Sequence, residues 1–230
     1  MGRDILVVAA HPDDEVLGCG GTIAKHVQQG DRVHVAILGE GLTSRTQQRD
    51  TQYYGHELDD LREAAKLANQ VLGVTSLELF DLPDNRMDSM DLLDVVKVIE
   101  GLIQRFNPMV VYTHHAGDVN IDHQILHSAV ITACRPLPGS SVETILYFEV
   151  ASSTEWQTPG SAAPFIPNWF VDISSTLALK VKAMEIYAAE MREWPHPRSV
   201  KAVEHLAHWR GATVGVNAAE VFVTGRNIVK

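Results

Sequence analysis

The sequence predicts one α/β domain, residues 1–230, with a mostly parallel sheet and helices on both faces. Short runs of β-type residues alternate along the chain with longer segments of helical period, which is typical of βαβ units. A chain of 230 residues with 45% hydrophobic content can bury a substantial core, and this length fits one α/β domain better than two. No internal repeat, low-complexity tract or interdomain linker divides it.

The predicted strands are the apolar runs DILVVAA, RVHVAIL, LELFDL, MVVYTHH and ILYFEV, in that order. Apolar residues three and four positions apart predict amphipathic helices over residues 58–72, 92–106 and 177–191. The first helix should end at Gly73 and the second at Asn107, which precedes a proline. Ser174 or Ser175 is expected to cap the third. Residues 154–168, TEWQTPGSAAPFIPN, should form a long loop without a helix, of the kind that often binds ligands or acts as a lid.

Composition argues against several classes of protein. The chain has 19 basic and 29 acidic residues, a formal net charge of −10, which opposes binding to nucleic acid or to an anionic membrane surface. No apolar run approaches the ~18 residues of a transmembrane helix, and the first is too short for a signal peptide, so we expect a cytoplasmic protein. Cys19 and Cys134 are far apart and lack CxxC spacing, which favours buried thiols over a disulfide or a thiolate zinc site.

Ionisable residues follow the first predicted strand, in the stretch AAHPDDEVLGCGGT. A second polar stretch, THHAGDVNIDHQILH at residues 113–127, follows a later strand. Because ligands of open α/β sheets bind outside the carboxyl ends of the strands, we expect the two stretches to meet. His11, Asp14 and one histidine of the second stretch would then give three N/O ligands and leave a position for water, as in catalytic zinc sites. Asp13, between two ligands, is a candidate general base.

The motif AHPDDE, followed much later by NIDH, resembles the PIG-L/LmbE-like family of zinc-dependent N-deacetylases. The segments LREA at 61–64, LPDNRMD at 82–88 and PHPRS at 195–199 extend the resemblance over most of the chain. The resemblance implies a Rossmann-like fold, one Zn²⁺ or another divalent metal per chain, and a small-molecule substrate. That substrate would be an N-acetylglucosamine-type sugar or sugar conjugate, cleaved to acetate and a free amine.

The same resemblance implies that His11, Asp14 and His123 bind the metal and that Asp13 is the base. Family members often carry a histidine, proposed to stabilise the oxyanion, at the position of Asn120. An amide can donate a hydrogen bond to an oxyanion but cannot deliver a proton to the leaving amine. The proton would then come from Asp13, after it has acted as base, or from another histidine such as His196. The alternative for Asn120 is an Asx turn that shapes the loop.

Simpler structural roles compete with the predicted ones. The acids alone would suit the first turn of a helix, but this does not explain His11. The glycines of GCGGT lack the spacing of a dinucleotide site and should allow a helix to pack closely on the sheet. His114, His115 and His127 are weaker ligand candidates than His123, because histidines near a sheet edge are more often hydrogen-bonded structural groups.

Further residues are predicted to contact substrate or to orient the ligands. The substrate contacts are Arg62, Asp84, His196 and Arg198. Arg62 could instead form a surface salt bridge, Asp84 could serve a turn, and the last two could begin a helix. Asp118 and Asp122 are expected to orient neighbouring ligand side chains. Trp156 and Trp169 flank the long loop, and either could stack on a sugar ring or fill the core.

Two other functions remain open. The same metal-water unit could add water to a double bond of an unsaturated carboxylate, as some relatives in the family are hydratases. A non-catalytic sugar-binding module would keep the pocket but would not need Asp13 as a base. The product distinguishes hydrolase from hydratase. The sequence leaves the oligomeric state undetermined, with a homo-oligomer among the options.

Overall fold

A seven-stranded sheet forms the centre of the protein, described by a computed structural model over residues 2–229. The strands are β1 (Asp4–Ala9), β2 (Arg32–Gly39), β3 (Ser76–Leu82), β4 (Val110–His114), β5 (Thr144–Phe148), β6 (Trp169–Asp172) and β7 (Ala219–Asn227). Their spatial order is β3-β2-β1-β4-β5-β7-β6. Strands β1 to β5 are parallel, whereas β7 is antiparallel to both of its neighbours. The predicted α/β class with a mostly parallel sheet is confirmed.

Helices cover both faces of this sheet. They are α1 (Asp14–Gln28), α2 (Gly55–Leu72), α3 (Leu92–Phe106), α4 (Ile121–Ala133), α5 (Leu177–Ile186) and α6 (Val200–Ala212). One buried apolar cluster joins the sheet to α1, α2, α5 and α6, and a second joins it to α3 and α4. A small third cluster includes Ala207 of α6. Alternate residues of β1 belong to opposite clusters, which explains why this strand is apolar throughout. No helix in residues 2–229 has the length and hydropathy needed to cross a membrane.

The predicted helix boundaries agree with the structure for α2 and α3 and differ for α5. Gly73 and Asn107 end α2 and α3 in the left-handed conformation, with φ of 79° and 48°. Helix α5 ends at Ile186 instead of residue 191, and its N-cap is Thr176, so the prediction of a serine cap is wrong. Ser174 is engaged elsewhere, because its hydroxyl bonds to Asp172 and accepts from a backbone N–H near β7. The 154–168 segment begins with a single 3₁₀ turn, Thr154–Trp156, and is otherwise a loop.

Helix α1 is broken at Cys19, where φ and ψ are −149° and 23°. A buried ion pair between Lys180 and Glu220, 2.5 Å apart, completes the hydrogen bonds at the break. Lys180 Nζ donates to the carbonyl of Leu17 at 2.8 Å, and the carboxylate of Glu220 accepts from two successive backbone N–H groups beyond the break, at 3.0 and 2.7 Å. The break therefore leaves these backbone groups satisfied.

Close packing of α1 on the sheet depends on its glycines, as predicted. A Cβ atom at Gly18 would overlap the ring of Phe148 in β5. Together with the break at Cys19, this packing fixes the position at which α1 begins.

Candidate active site

The two polar stretches meet at the carboxyl edge of the sheet. They follow β1 and β4, which are adjacent and parallel, and their chains continue into α1 and α4. Above them lies an open cleft of about 520 Å³, a size typical of small-molecule sites. A larger cavity of about 690 Å³, lined by the first residues of β4 and β5, contains none of the ionisable residues of the two stretches. The cleft is therefore the candidate site.

His11, Asp14 and His123 form a set that fits a metal ion. His11 Nδ1 and His123 Nε2 lie 3.3 and 3.2 Å from the same oxygen, Oδ2 of Asp14. Ligand atoms ~2.0–2.1 Å from a tetrahedral zinc centre are separated by about 3.3 Å, so this spacing fits. Both ring nitrogens of His123 are buried and neither makes a hydrogen bond of normal geometry. A buried, unpartnered imidazole nitrogen facing a carboxylate is the arrangement that a cation would complete.

Two further acids hold the imidazole rings. Asp122 Oδ2 lies 3.0 Å from His11 Nε2, and Asp118 Oδ2 lies 3.2 Å from His123 Nδ1. Asp122 is anchored by two backbone N–H groups at 2.6 and 2.9 Å, and Asp118 by two side-chain hydroxyls at 2.5 and 2.6 Å. Each histidine thus has one nitrogen beside an anchored acid and the other beside Asp14, the usual arrangement around metal-binding histidines.

A second overlapping set consists of His11, Asp84 and Asp122. Asp84 Oδ1 lies 3.3 Å from His11 Nε2. Both oxygens of each of these two acids already accept a hydrogen bond from a protein N–H group. We therefore interpret Asp84 and Asp122 as holding the ring of His11.

The surrounding acids favour positive charge at the centre of the set. Burial lowers the pKa of His123, but Asp14 and Asp118 outweigh this effect and raise it to about 9. Burial likewise lowers the pKa of His11, but Asp122 and Asp14 raise it well above its usual value. Burial raises the pKa of Asp14, yet the neighbouring histidines hold it well below the normal range. Because metal-ligand histidines are neutral, a bound divalent cation would take the place of these protons.

Asp13 lies beside this set. Its side chain is buried, and Oδ2 accepts a hydrogen bond from Arg198 Nη1 at 3.2 Å. Burial raises the pKa of Asp13 well above its usual value, and the nearby Arg198 opposes that rise. Its backbone φ of 109° is rare for a residue with a side chain and stores about 1–3 kcal/mol of strain. Such strain is frequent at functional sites, where it fixes a side chain in place.

Comparison with known proteins identifies the family. The model of the family described as "PIG-L: GlcNAc-PI de-N-acetylase" matches residues 6–134, which include both polar stretches. This chain belongs to the PIG-L family. The prediction of a PIG-L/LmbE-like deacetylase is confirmed at the level of the family.

Individual PIG-L relatives differ in activity. The chain is 29% identical over 203 residues to diacetylchitobiose deacetylase of Thermococcus kodakarensis, covering 83% of this chain and 71% of that protein. It is also 29% identical over 209 residues to 4-oxalmesaconate hydratase of Pseudomonas putida, covering 84% and 76%. Among solved structures, the Pseudomonas putida 4-carboxy-2-hydroxymuconate hydratase GalB superposes with a TM-score of 0.79 at 24% identity, over 99% of this chain and 98% of that one. The last similarity concerns the fold alone.

Asn120, where the resemblance led us to expect a histidine, is the N-cap of α4. Its Oδ1 accepts from the N–H groups of Asp122 at 2.9 Å and His123 at 3.4 Å. Its amide nitrogen donates to Asn85 Oδ1 at 2.9 Å. This bond uses one of the two hydrogens of the Asn120 amide and leaves the other available. Asn120 also lines the cleft. The cap is thus present, and a role as oxyanion donor stays a prediction.

The predicted substrate contacts divide into two groups. Asp84 and Arg198 line the cleft. Arg62 is not among the lining residues: its guanidinium pairs with Asp59 and Asp81 on the surface, at 3.2 and 2.6 Å. His196 is likewise not among the lining residues; its Nδ1 accepts from the N–H of Arg198, and its ring lies 5.7 Å from that of Trp156.

The other histidines of the second stretch make hydrogen bonds outside the ligand set. His114 Nε2 accepts from the N–H of Ala10 at 2.8 Å, and its ring stacks on His123 at 3.8 Å. His115 Nε2 lies 2.9 Å from the carbonyl of Ala163, and His127 Nδ1 lies 2.9 Å from that of His114. These contacts agree with the structural interpretation.

Glu15 is a residue whose role the sequence did not reveal. Its Oε2 accepts from the N–H of Asp13, and its Oε1 accepts from Asn69 in α2 and from the hydroxyl of Tyr187. Burial raises the pKa of Glu15 to about 7. In the sequence, the one indication of this role was Asn69, because a polar residue on the buried face of an amphipathic helix needs a hydrogen-bond partner.

The outer wall of the cleft also comes from residues that were not predicted. Arg45 pairs with Glu190 at 2.8 Å and joins the loop after β2 to the segment after α5. Arg192 also lines the cleft, as does Trp156, which the sequence had already singled out as a candidate for stacking on a sugar ring.

Proposed function

We propose that this protein is a divalent-metal-dependent deacetylase that cleaves the acetamide of an N-acetylglucosamine-type sugar or sugar conjugate. The observation that supports the proposal is that His11, Asp14 and His123 converge beside Asp13. The side chain of Asp13 is bonded to Arg198 instead of to these three residues, so it is available to act as a base. The relatives named as deacetylases support amide hydrolysis as the reaction.

We infer that His11, Asp14 and His123 hold one metal ion per chain and that this ion is zinc. Two imidazole nitrogens and a carboxylate oxygen suit zinc and also other divalent ions. When bound, the metal supplies Lewis-acid polarisation of the acetamide carbonyl and lowers the pKa of water.

In this proposal the protein residues carry the proton and position the substrate. Asp13 accepts a proton from the attacking water, oxygen adds to the carbonyl carbon, and Asp13 returns the proton to nitrogen as the C–N bond breaks. Arg198 keeps the Asp13 carboxylate oriented during both proton transfers. The free amide hydrogen of Asn120 is available to the developing oxyanion. Trp156, 54% exposed at the cleft, offers a ring face to the sugar.

The test is acetate release from N-acetylglucosamine and N,N'-diacetylchitobiose. Protein stripped with a chelator should be inactive, and added Zn²⁺ or another divalent ion should restore equal amounts of acetate and primary amine. Absence of acetate from the metal-loaded protein on a panel of N-acetylated sugars would refute the proposal.

Hydration is the second candidate, because a relative that covers 84% of this chain at 29% identity is named a hydratase. Incubation with an unsaturated dicarboxylate, followed by loss of its ultraviolet absorbance without acetate formation, would favour that reaction. Turnover of either substrate would rule out a purely sugar-binding module.

A further inference from the structure

Arg192 is an arginine of the cleft wall with no carboxylate oxygen within 4.0 Å among residues 2–229. Most arginines of residues 2–229 have a carboxylate oxygen within 4.0 Å. The exceptions in this range are Arg86, Arg192 and Arg226, and of these three, Arg192 is the one that lines the cleft. Arg192 is exposed, so an anion that enters the cleft can reach a guanidinium that no acid of residues 2–229 neutralises.

The hydrogen bonds of Arg192 leave one edge of its guanidinium group available. Nη1 donates to the carbonyls of Ala189 and Met191, both at 2.9 Å, which fixes the orientation of the group. Nε and Nη2 have no partner within residues 2–229. The same Nε/Nη2 edge binds a carboxylate through two parallel hydrogen bonds at four other positions, Arg3, Arg32, Arg49 and Arg210. The available edge therefore has the geometry that matches two oxygens of one anion.

The position of Arg192 relates this edge to the substrate. The backbone N–H of Arg192 donates to the carbonyl of Arg198 at 3.2 Å, and Arg198 in turn contacts Asp13. Arg45, the remaining arginine of the cleft, is already neutralised by Glu190. A substrate with its acetamide beside Asp13 would direct the rest of its structure toward the opening, where Arg192 lies.

We propose that Arg192 binds an anionic group, a carboxylate or a phosphate, on the part of the substrate that lies away from the acetamido group. This inference rests on the proposed function, which places the acetamide at the floor of the cleft. The substrate class is then an acidic conjugate of an N-acetylated amino sugar.

The experiment compares three glycosides of N-acetylglucosamine with aglycones of equal length, ending in a carboxylate, a phosphate or a hydroxyl. The metal-loaded wild type should show a kcat/KM for at least one anionic glycoside about 10–100-fold above that for the neutral one, the size expected for hydrogen bonds to a charged group. In Arg192→Gln this ratio should fall toward one, and Arg192→Lys should keep part of it. The larger of the two anionic ratios identifies the group.

Arg105→Gln is the matched control, because Arg105 is a half-exposed arginine at the end of α3, paired with Glu78 and outside the cleft. It should keep the wild-type ratio. A wild-type ratio near one, or the same ratio in wild type and Arg192→Gln, would overturn the proposal.

A separate measurement distinguishes this proposal from the proposed function. If the wild type releases acetate from none of the three glycosides, the proposed function fails, and calorimetric binding of the corresponding free-amine glycosides then tests Arg192 alone. Tighter binding of an anionic form that Arg192→Gln abolishes would support the anion site. Equal binding of anionic and neutral forms, or no binding, would refute it.

Discussion

Replacing Lys180 with methionine should destabilise the fold by about 3–5 kcal/mol, the cost of removing one partner of a buried ion pair. The Lys180 side chain is 3% exposed, and that of Glu220 is 4% exposed. Methionine preserves most of the apolar stem but leaves the Glu220 carboxylate without its cation and the Leu17 carbonyl without its donor. Because Glu220 keeps two backbone N–H donors, we expect the lower part of that range.

The double variant Lys180→Met/Glu220→Gln shows how much of the lost stability comes from leaving one buried charge without its partner. It removes both charges, while the glutamine carbonyl can still accept from one of the two N–H groups beyond the break in α1. Replacing a buried pair together costs far less than removing one partner. We therefore expect the double variant to be about 2 kcal/mol more stable than Lys180→Met.

Urea unfolding followed by circular dichroism at constant metal concentration gives the free energies. Lys182→Met, an exposed change on the same helix, is the control and should stay within about 0.5 kcal/mol of wild type. A loss below about 1 kcal/mol in Lys180→Met, or a double variant no more stable than the single one, would show that the ion pair does not stabilise the broken helix.

Four further predictions concern single residues. His123→Ala should lose bound metal on dialysis, measured by elemental analysis; stoichiometric metal would contradict its assignment as a ligand. Asp13→Asn should keep metal and fold while kcat for acetate release falls ~10²–10⁴-fold; unchanged turnover would exclude it as the base. Asn120→Ser keeps a cap acceptor but not the amide donor, so kcat should fall ~10–10³-fold with little change in Tm; full activity would leave Asn120 as a cap alone. Burial raises the pKa of Asp31, but hydrogen bonds, the strongest from Arg3, lower it to about 2, so its contribution to stability is present above about pH 4 and disappears toward pH 2. In urea titrations Asp31→Asn should therefore cost about 1–2 kcal/mol at pH 7 and little at pH 2; a pH-independent difference would contradict the ionic origin.

The parallel part of the fold could be predicted because its signals are local. Strands β1 to β5 are apolar runs, and the helices α2 and α3, which follow β2 and β3 in the chain, each have their own period and stop signal. Strands β6 and β7 lack such signals, since β6 has four residues, mostly exposed, and β7 ends in polar residues. Their antiparallel pairing joins segments far apart in sequence, and only the assembled sheet determines it.

The site also has a part that the sequence predicts and a part that it does not. Parallel topology alone predicts that His11 and Asp14 approach a histidine of the second stretch, because β1 and β4 end at the same edge. The choice of His123 among those histidines came from the resemblance to the PIG-L family. The outer wall could not be predicted, since Arg45 and Arg192 lie on irregular segments whose positions depend on tertiary contacts. For an arginine on the surface of a helix, such as Arg62, the local sequence does not show whether the side chain lines a cleft or forms a surface salt bridge.

Because Asp13 has a strained, positive φ, the residue proposed to be needed for activity lowers the stability of the fold. Glycine adopts this conformation at little cost, so Asp13→Gly would recover some of the ~1–3 kcal/mol of strain while removing the proposed base. Directed evolution of this protein for thermal resistance alone would therefore favour loss of the residue. Libraries selected for heat stability should be screened for turnover in the same round, so that robust but inert variants are discarded.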